Sequence, residues 1–151
     1  MNFPVGEVKT KSALPVTFTK IASELITRKF NGYIVQSISN NAIEEGVLFF
    51  RDGELNACII ECLGEQKTLK GDEAFKEFLN QTLGDGFFQV VELTRSQVDL
   101  VTAFDEHLIL QNKVNLKDLP KLIPSKFEAK INANVEKNDL FERFGLAGLK
   151  K

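Results

Sequence analysis

The residues of this chain that could carry chemistry are a single histidine and two cysteines. His107 directly follows Asp105 and Glu106, and an imidazole beside carboxylates is a candidate for metal binding or proton transfer. A closed zinc site needs four nitrogen or sulfur ligands, however, and neighbouring positions of a helix point about 100° apart. We therefore predict that His107 has no catalytic or metal-binding role.

The two cysteines, Cys58 and Cys62, lie in an apolar segment in which no cation is near enough in sequence to lower a thiol pKa. If this segment is a strand, the two thiols share one face but lie about 13 Å apart, which is too far for a disulfide bond. We predict that both are free thiols that fill space in the core.

Two further patterns look like functional motifs but have structural explanations. The G-x-G at residues 84–86 lies where a helix passes into a strand, whereas a phosphate-binding loop precedes a helix. The acid pair Glu44-Glu45 lies beside a predicted turn, where both charges can be solvated. The pair at 72–73 lies in a first helical turn, where acidic side chains interact favourably with the positive end of the helix dipole. The sequence therefore favours a protein that is not an enzyme, with no catalytic, metal-binding or cofactor-binding residues.

Apolar residues spaced three and four apart predict three helices. The first runs from a Thr17 cap to about Arg28, and the second begins at Asp72 and is stopped by Gly84. The third begins at residues 94–97, a capping box in which a threonine and a glutamine satisfy each other's backbone donors. Its apolar stripe should consist of Val98, Val101, Phe104 and Leu108.

Four strands are predicted between these helices, over residues 33–38, 46–50, 54–62 and 87–93. The second and third should form a hairpin at Asp52-Gly53, a turn in which both residues take positive φ. The fold class is therefore α+β: an antiparallel meander sheet of about four strands packed with three helices. We expect the fourth strand beside the first, in the order 3-2-1-4, after an extended N-terminal stretch.

Charge divides the chain into a domain and a tail. Residues 1–113 carry 11 basic and 16 acidic side chains, a net charge of −5, whereas residues 114–151 carry 8 and 5, a net charge of +3. We predict an α+β domain over 1–113 and a basic tail with a short C-terminal helix over 114–151. The apolar residues of that helix are Leu140, Phe141 and Phe144. They either contact a partner or pack on their own domain, and the sequence leaves both alternatives open.

Composition excludes several classes of function. With 43% apolar and 26% charged residues, the 151-residue chain has the composition of a globular protein with one core. The acidic domain lacks the basic, aromatic-rich patch of a nucleic-acid interface, and the apolar runs are too short to span a bilayer. No basic region precedes an apolar stretch near the N-terminus, so we expect a cytoplasmic protein.

The stretch from residue 30 to residue 93 resembles the PATAN-type domain, which occurs in many bacterial signalling proteins. Segments at 4–7 and 140–146 are similar to uncharacterised archaeal relatives. The resemblance implies a non-enzymatic interaction or signalling module and supplies no catalytic residues. It is carried by turn glycines and small or polar positions within three blocks of sequence: Gly32, Asp52, Gly53, Ala57, Gly71, Ala74 and Gly86.

Together these observations predict a protein-interaction or signalling module with a protein partner and no cofactor. We expect it to use an exposed sheet face or edge together with the basic tail, and homodimerisation is one form of this prediction. Two alternatives stay open. One is a regulator or scaffold of small GTPases, by architectural analogy with roadblock-like and longin-like domains. The other is a small-ligand sensor with an apolar pocket between helices and sheet.

Overall fold

One antiparallel sheet organises the part of the chain that the computed structural model describes, which is residues 3–127 without residues 41 and 65. Its strands in chain order are β1 (Glu7–Leu14), β2 (Gly32–Asn40), β3 (Ala42–Arg51), β4 (Glu54–Cys62), β5 (Lys67–Lys70) and β6 (Gly86–Glu92). In space they follow the order β1-β6-β2-β3-β4-β5, and every neighbouring pair is antiparallel.

The helices follow β1, β5 and β6, whereas β2 to β5 succeed one another with no helix between them. They are α1 (Phe18–Thr27), α2 (Asp72–Gln81), α3 (Arg95–Phe104) and α4 (Leu119–Leu122), with 3₁₀ helices at Glu106–Leu108 and Leu116–Asp118. The predicted α+β class is confirmed. The described residues form six strands and four helices, where about four and three are predicted. The predicted short C-terminal helix, which contains Leu140, Phe141 and Phe144, lies outside the described residues.

The four predicted strands are β2, β3, β4 and β6, and they lie side by side in the predicted order 3-2-1-4. The sequence pattern misses the two strands at the sheet edges. Nearly every side chain of β1 is exposed, so no apolar alternation marks it as more than an extended stretch. β5 has four residues and is too short to show a period.

The sheet buries apolar side chains on both faces, because alternate residues of a strand point to opposite sides. We call the face that packs on α1 and α2 the inner face, and the opposite one the outer face. Phe50 and Ile60 belong to the inner cluster, and Phe49 and Ile59 to the outer cluster, which also includes Val98 of α3. Phe49 and Phe50 are both fully buried, since helices cover both faces at this point.

The β3–β4 hairpin closes at the predicted turn. Asp52 and Gly53 have φ values of 50° and 83°. The Asp52 backbone N–H donates to Asn31 Oδ1 at 2.8 Å, and the Gly53 N–H donates to the Phe30 carbonyl oxygen at 2.8 Å. A Cβ atom on Gly53 would lie 2.7 Å from the Ile26 carbonyl oxygen, so both the backbone angle and the close approach of α1 require glycine here.

The predicted capping box at the start of α3 is confirmed. The Gln97 N–H donates to Thr94 Oγ1 at 3.1 Å, and the Thr94 N–H donates to Gln97 Oε1 at 2.9 Å. The predicted apolar stripe is wrong at Phe104, which is 83% exposed. A spacing of three residues falls 60° short of a full turn, so two such steps from Val98 leave Phe104 about 120° away from the buried side.

The thiol predictions are confirmed, since Cys58 and Cys62 are free and buried in the inner core. Burial raises the pKa of Cys58 well above its ordinary value, which keeps it protonated and unreactive. Beyond residue 113, Leu119 is fully buried in the same core, and Ile123 and Phe127 pack against it. The division of the chain at residues 113 and 114 stays a prediction.

Replacing Gly53 with alanine should destabilise the fold by more than about 1 kcal/mol, because alanine opposes a positive φ and its Cβ meets the backbone of α1. Urea unfolding followed by circular dichroism measures the free energy of unfolding. Asp52→Asn is the matched control, since asparagine also tolerates positive φ, and it should stay within about 0.5 kcal/mol of the wild type. Equal effects of the two variants would contradict this account of the turn.

Candidate functional site

The two faces of the sheet are covered unequally. Two ten-residue helices pack on the inner face, whereas the outer cluster consists of residues from the sheet, from the single helix α3 and from the 3₁₀ helix at Leu108, with Phe3 packed against it. At the other end of the outer face, Ile43 and Phe87 are 54% and 56% exposed. The outer face therefore leaves part of its apolar surface in contact with solvent.

An apolar cleft of about 510 Å³ opens on the outer face beside the C-terminal end of α3. We call it the outer-face cleft. Its apolar lining consists of Phe3, Ile59, Leu100, Val101, Phe104 and Leu108. Of these, Leu100 is 52% exposed and Phe104 is 83% exposed, so two large apolar side chains border an apolar cavity without covering it.

Ring packing fixes the N-terminal wall of the cleft. Phe3 lies with its ring centroid 5.0 Å from that of Phe49 in an edge-to-face contact, and 6.3 Å from that of Tyr33. Tyr33 in turn packs 5.5 Å from Phe49. Burial, with a smaller contribution from Glu45, raises the pKa of Tyr33, so its phenol is neutral at physiological pH. The Tyr33 and Phe49 rings thus hold Phe3 against the sheet.

The charged residue in the cleft lining is Asp105, which follows α3. Its Oδ2 lies 2.7 Å from Lys70 Nζ, and its Oδ1 lies 3.3 Å from His107 Nδ1. The hydrogen bond from Lys70 is the main reason that the pKa of Asp105 is lowered, and contacts with His107 add to it. Asp105 therefore gives this end of the cleft a fixed carboxylate that is partly neutralised by Lys70.

His107 lies in the 3₁₀ helix that follows α3, not in α3 itself as predicted. Its side chain is 80% exposed and faces a second cavity of about 400 Å³, to which Lys70, Gly71 and Glu106 also contribute. Asp105 orients the His107 imidazole as a carboxylate orients the base of a catalytic triad. The described residues that line this cavity include no serine, threonine or cysteine that could act as the nucleophile. Nor do three or more metal-binding side chains converge anywhere among residues 3–127 as described.

Asp72 has a role that the sequence does not predict. Its Oδ1 accepts a hydrogen bond from the Gln111 N–H at 3.0 Å, and its Oδ2 accepts one from Asn112 Nδ2 at 2.8 Å. The first residue of α2 therefore fastens the segment that follows the 3₁₀ helix. Together with the Lys70–Asp105 ion pair, it ties the chain beside the cleft to the start of α2.

The expectation that Glu44 is a solvated charge is wrong. Glu44 is 2% exposed in β3, and its Oε1 accepts a hydrogen bond of 3.2 Å from Gln81 Nε2 of α2. Nearby, Gln36 Nε2 donates to the Phe78 carbonyl oxygen at 3.2 Å. Strand alternation in the sequence indicates that Glu44 is buried, because Glu44 falls on the same side of β3 as Leu48 and Phe50.

The residues that carry the family resemblance serve mainly in turns and packing. Ala57 and Ala74 are fully buried, and Gly71 is the N-cap of α2 with a φ of 69°. None of the seven lines the outer-face cleft, whose lining is Phe3, Pro4, Ile59, Leu100, Val101, Phe104, Asp105 and Leu108. Gly32 and Gly86 begin β2 and β6, and Asp52 and Gly53 form the hairpin turn. The predicted partner contacts Leu140, Phe141 and Phe144 lie outside the described residues.

Residues 1–105 match a family described as "Uncharacterized protein conserved in archaea (DUF2226)". The chain belongs to this family. The match confirms the expected relation to uncharacterised archaeal proteins, and it covers every residue in the lining of the outer-face cleft except Leu108. No curated protein and no solved structure matches the chain. Within the described residues, the helices fall short of the length and apolarity that crossing a membrane requires.

Replacing Lys70 with methionine should raise the pKa of Asp105 toward its ordinary value of about 3.9, since the lysine hydrogen bond is the main cause of the lowered pKa. Because the fold lowers this pKa, the ion pair stabilises the protein at neutral pH and is lost as the pH falls through the folded value. Carbon-detected NMR titration of the side-chain carboxyl groups measures the change. Lys67→Met, on the same strand, should leave the pKa of Asp105 unchanged, and an unchanged value in the Lys70 variant would contradict the assignment.

Proposed function

We propose that this chain is a cytoplasmic, non-enzymatic protein-interaction module with a role in signalling, and that a partner protein binds in the outer-face cleft. The observation that carries the proposal is the exposure of Leu100 and Phe104 beside an apolar cavity. Contiguous exposed apolar surface with a polar rim is typical of interaction sites. The two free, buried thiols fit a reducing compartment.

The occupant that fits best is an amphipathic segment with two or three large apolar side chains and basic flanks. The apolar lining takes the anchors, as grooves that bind helices do. Asp105 lies at one end of the cleft, and residues 1–113 have a net charge of −5, which favours basic residues beside the anchors. The resemblance to PATAN-type domains of bacterial signalling proteins agrees with such a role.

The sheet edges favour binding by the face over binding by strand addition. β1 carries a bulge between Val8 and Thr10 and exposes Lys9 and Lys11, and β5 is only four residues long. Short, bulged and lysine-bearing edges are how proteins avoid pairing with other strands. Homodimerisation through the outer face remains compatible with the proposal. The GTPase-regulator alternative, which a sheet extended across a dimer would favour, gains no support from these edges.

The proposal predicts that partner binding depends on Leu100 and Phe104. Crosslinked capture from extracts of the source cells should recover a protein with the wild type and lose it at least tenfold with Leu100→Asp and with Phe104→Asp. Leu122→Asp is the matched control, because Leu122 is 48% exposed on α4 and does not line the cleft. Thermal unfolding confirms that each variant is folded. Equal capture by all three variants would refute the cleft as the binding surface.

A second candidate function is a sensor of small apolar molecules. The cleft volume of about 510 Å³ falls within the range of roughly 300–1,000 Å³ that is usual for small-ligand pockets. This function predicts that a compound from an apolar library raises the melting temperature of the wild type but not of Val101→Asp or Leu108→Asp, provided those variants fold. A library that gives no stabiliser leaves the protein-interaction proposal as the better supported one.

A further inference from the structure

We infer that α3 is a latched cover, and that a partner lifts it to extend the outer-face cleft along the sheet. The inference rests on the proposed function, because it adds a regulated step to binding at the same cleft. It is carried by two observations on α3: the helix buries few side chains, and ion pairs hold it at both ends.

Little apolar contact holds α3 on the sheet. Of its ten residues, α3 buries only Val98 and Val101, whereas α2, which has the same length, buries seven. Leu93 before α3 and Leu108 after it are both buried, and they anchor the chain on either side of the helix. A segment with few buried contacts between two fixed points is the kind that opens locally while the rest of the fold stays intact.

A network of charges holds the start of α3. Both Nε and Nη2 of Arg51, the last residue of β3, donate hydrogen bonds to the Asp99 carboxylate. Arg95 Nε lies 3.3 Å from Asp52 Oδ2 in the hairpin turn, and Arg51 Nη1 lies 3.9 Å from the same oxygen. Isolated surface ion pairs contribute little to stability, but a bidentate arginine–carboxylate pair within a network is the exception.

A separate ion pair holds the end of α3. Asp105 is the C-cap of the helix, and its Oδ2 accepts a hydrogen bond of 2.7 Å from Lys70 Nζ of β5. The pKa values of Asp99 and Asp105 are both lowered, mainly by the hydrogen bonds from their basic partners, so both carboxylates are charged at neutral pH. Charge therefore fastens α3 at each end, and two valines hold it in between.

Lifting α3 adds the floor beneath it to the cleft. In the outer cluster the two valines of α3 pack with two cross-strand pairs of β3 and β4, which are Val47 with Ile59 and Phe49 with Ala57. Ile59 also lines the outer-face cleft, so this floor continues directly into it. The open state has a longer apolar groove on the sheet, in which the apolar side chains of a partner replace those of α3.

The latch makes the open groove a minor state of the free protein. A partner first meets Leu100 and Phe104, which are exposed while the helix is in place. It then exchanges the contacts of two valines and three ion pairs for a longer apolar contact. The apparent affinity of a site that is open only part of the time is lower by the open fraction, so a weaker latch means tighter binding.

Thiol labelling of the full chain tests whether α3 lifts. Val47→Cys places a thiol on the floor beneath the helix, while Cys58 and Cys62 in the inner core serve as internal reporters of global unfolding. N-Ethylmaleimide should label the introduced thiol at least tenfold faster than the two natural ones. Ala57→Cys, on the neighbouring strand, is a second probe of the same floor and should behave alike.

Two latch variants, made in that background, break one ion pair with opposite changes of net charge: Asp99→Asn and Arg51→Met. Both should raise the labelling rate of the introduced thiol at least threefold, because each removes the bidentate pair at the start of α3. Glu24→Gln, which removes an exposed charge from the middle of α1, is the matched control and should leave the rate unchanged. Labelling at the rate of Cys58 would overturn the inference, as would an unchanged rate in either latch variant.

Partner capture separates the latch from the proposed function. Both latch variants should capture the partner severalfold better than the wild type, and because their charge changes are opposite, attraction to the partner's own charge does not explain an increase in both. Capture that depends on Phe104 but is unchanged or reduced in the latch variants would refute the lifting of α3 and leave the proposed function intact. Capture independent of Phe104 would refute the proposed function.

Discussion

The structure depends on a sheet that is apolar on both faces and therefore must be covered on both sides. Strand alternation sends Phe50 and Ile60 to one side and Phe49 and Ile59 to the other, and all four are buried. Two long helices complete the inner side, but one long helix, a 3₁₀ turn and a phenylalanine near the N-terminus share the outer side. The cleft is the part of the outer surface that this smaller cover does not reach.

Local patterns predict the elements well where the determining interactions are local. The Thr94–Gln97 capping box and the Asp52-Gly53 turn depend on residues close in sequence, and both form as predicted. The order of the central strands also follows, because a meander leaves few places for the last strand. The edge strands β1 and β5 escape prediction because their pairing is decided by β6 and β4, not by any period of their own.

The candidate site is harder to predict than the fold, because contacts distant in sequence create it. Phe3 meets Phe49 on the outer face, and Phe104 is exposed because it lies about 120° around α3 from the buried Val98. A spacing of three residues from Val101 includes Phe104 in the predicted stripe, but two such steps from Val98 turn its side chain away from the buried side of α3. Glu44 is misjudged because the predicted strand begins at residue 46, whereas β3 begins at Ala42. Strand alternation then places the Glu44 side chain on the buried inner face.

The hydrogen bond between Gln81 and Glu44 has a consequence for the docking of α2 on the sheet. A shift of α2 by one turn, about 5.4 Å along its axis, would bring the Phe78 ring to the position of the fully buried Ala74, where there is no room for it. Such a shift would take the Gln81 amide away from the Glu44 carboxylate, which lies where water does not reach it. The Gln81–Glu44 hydrogen bond and the one from Gln36 to the Phe78 carbonyl oxygen thus act together with apolar packing to select one alignment of helix and sheet.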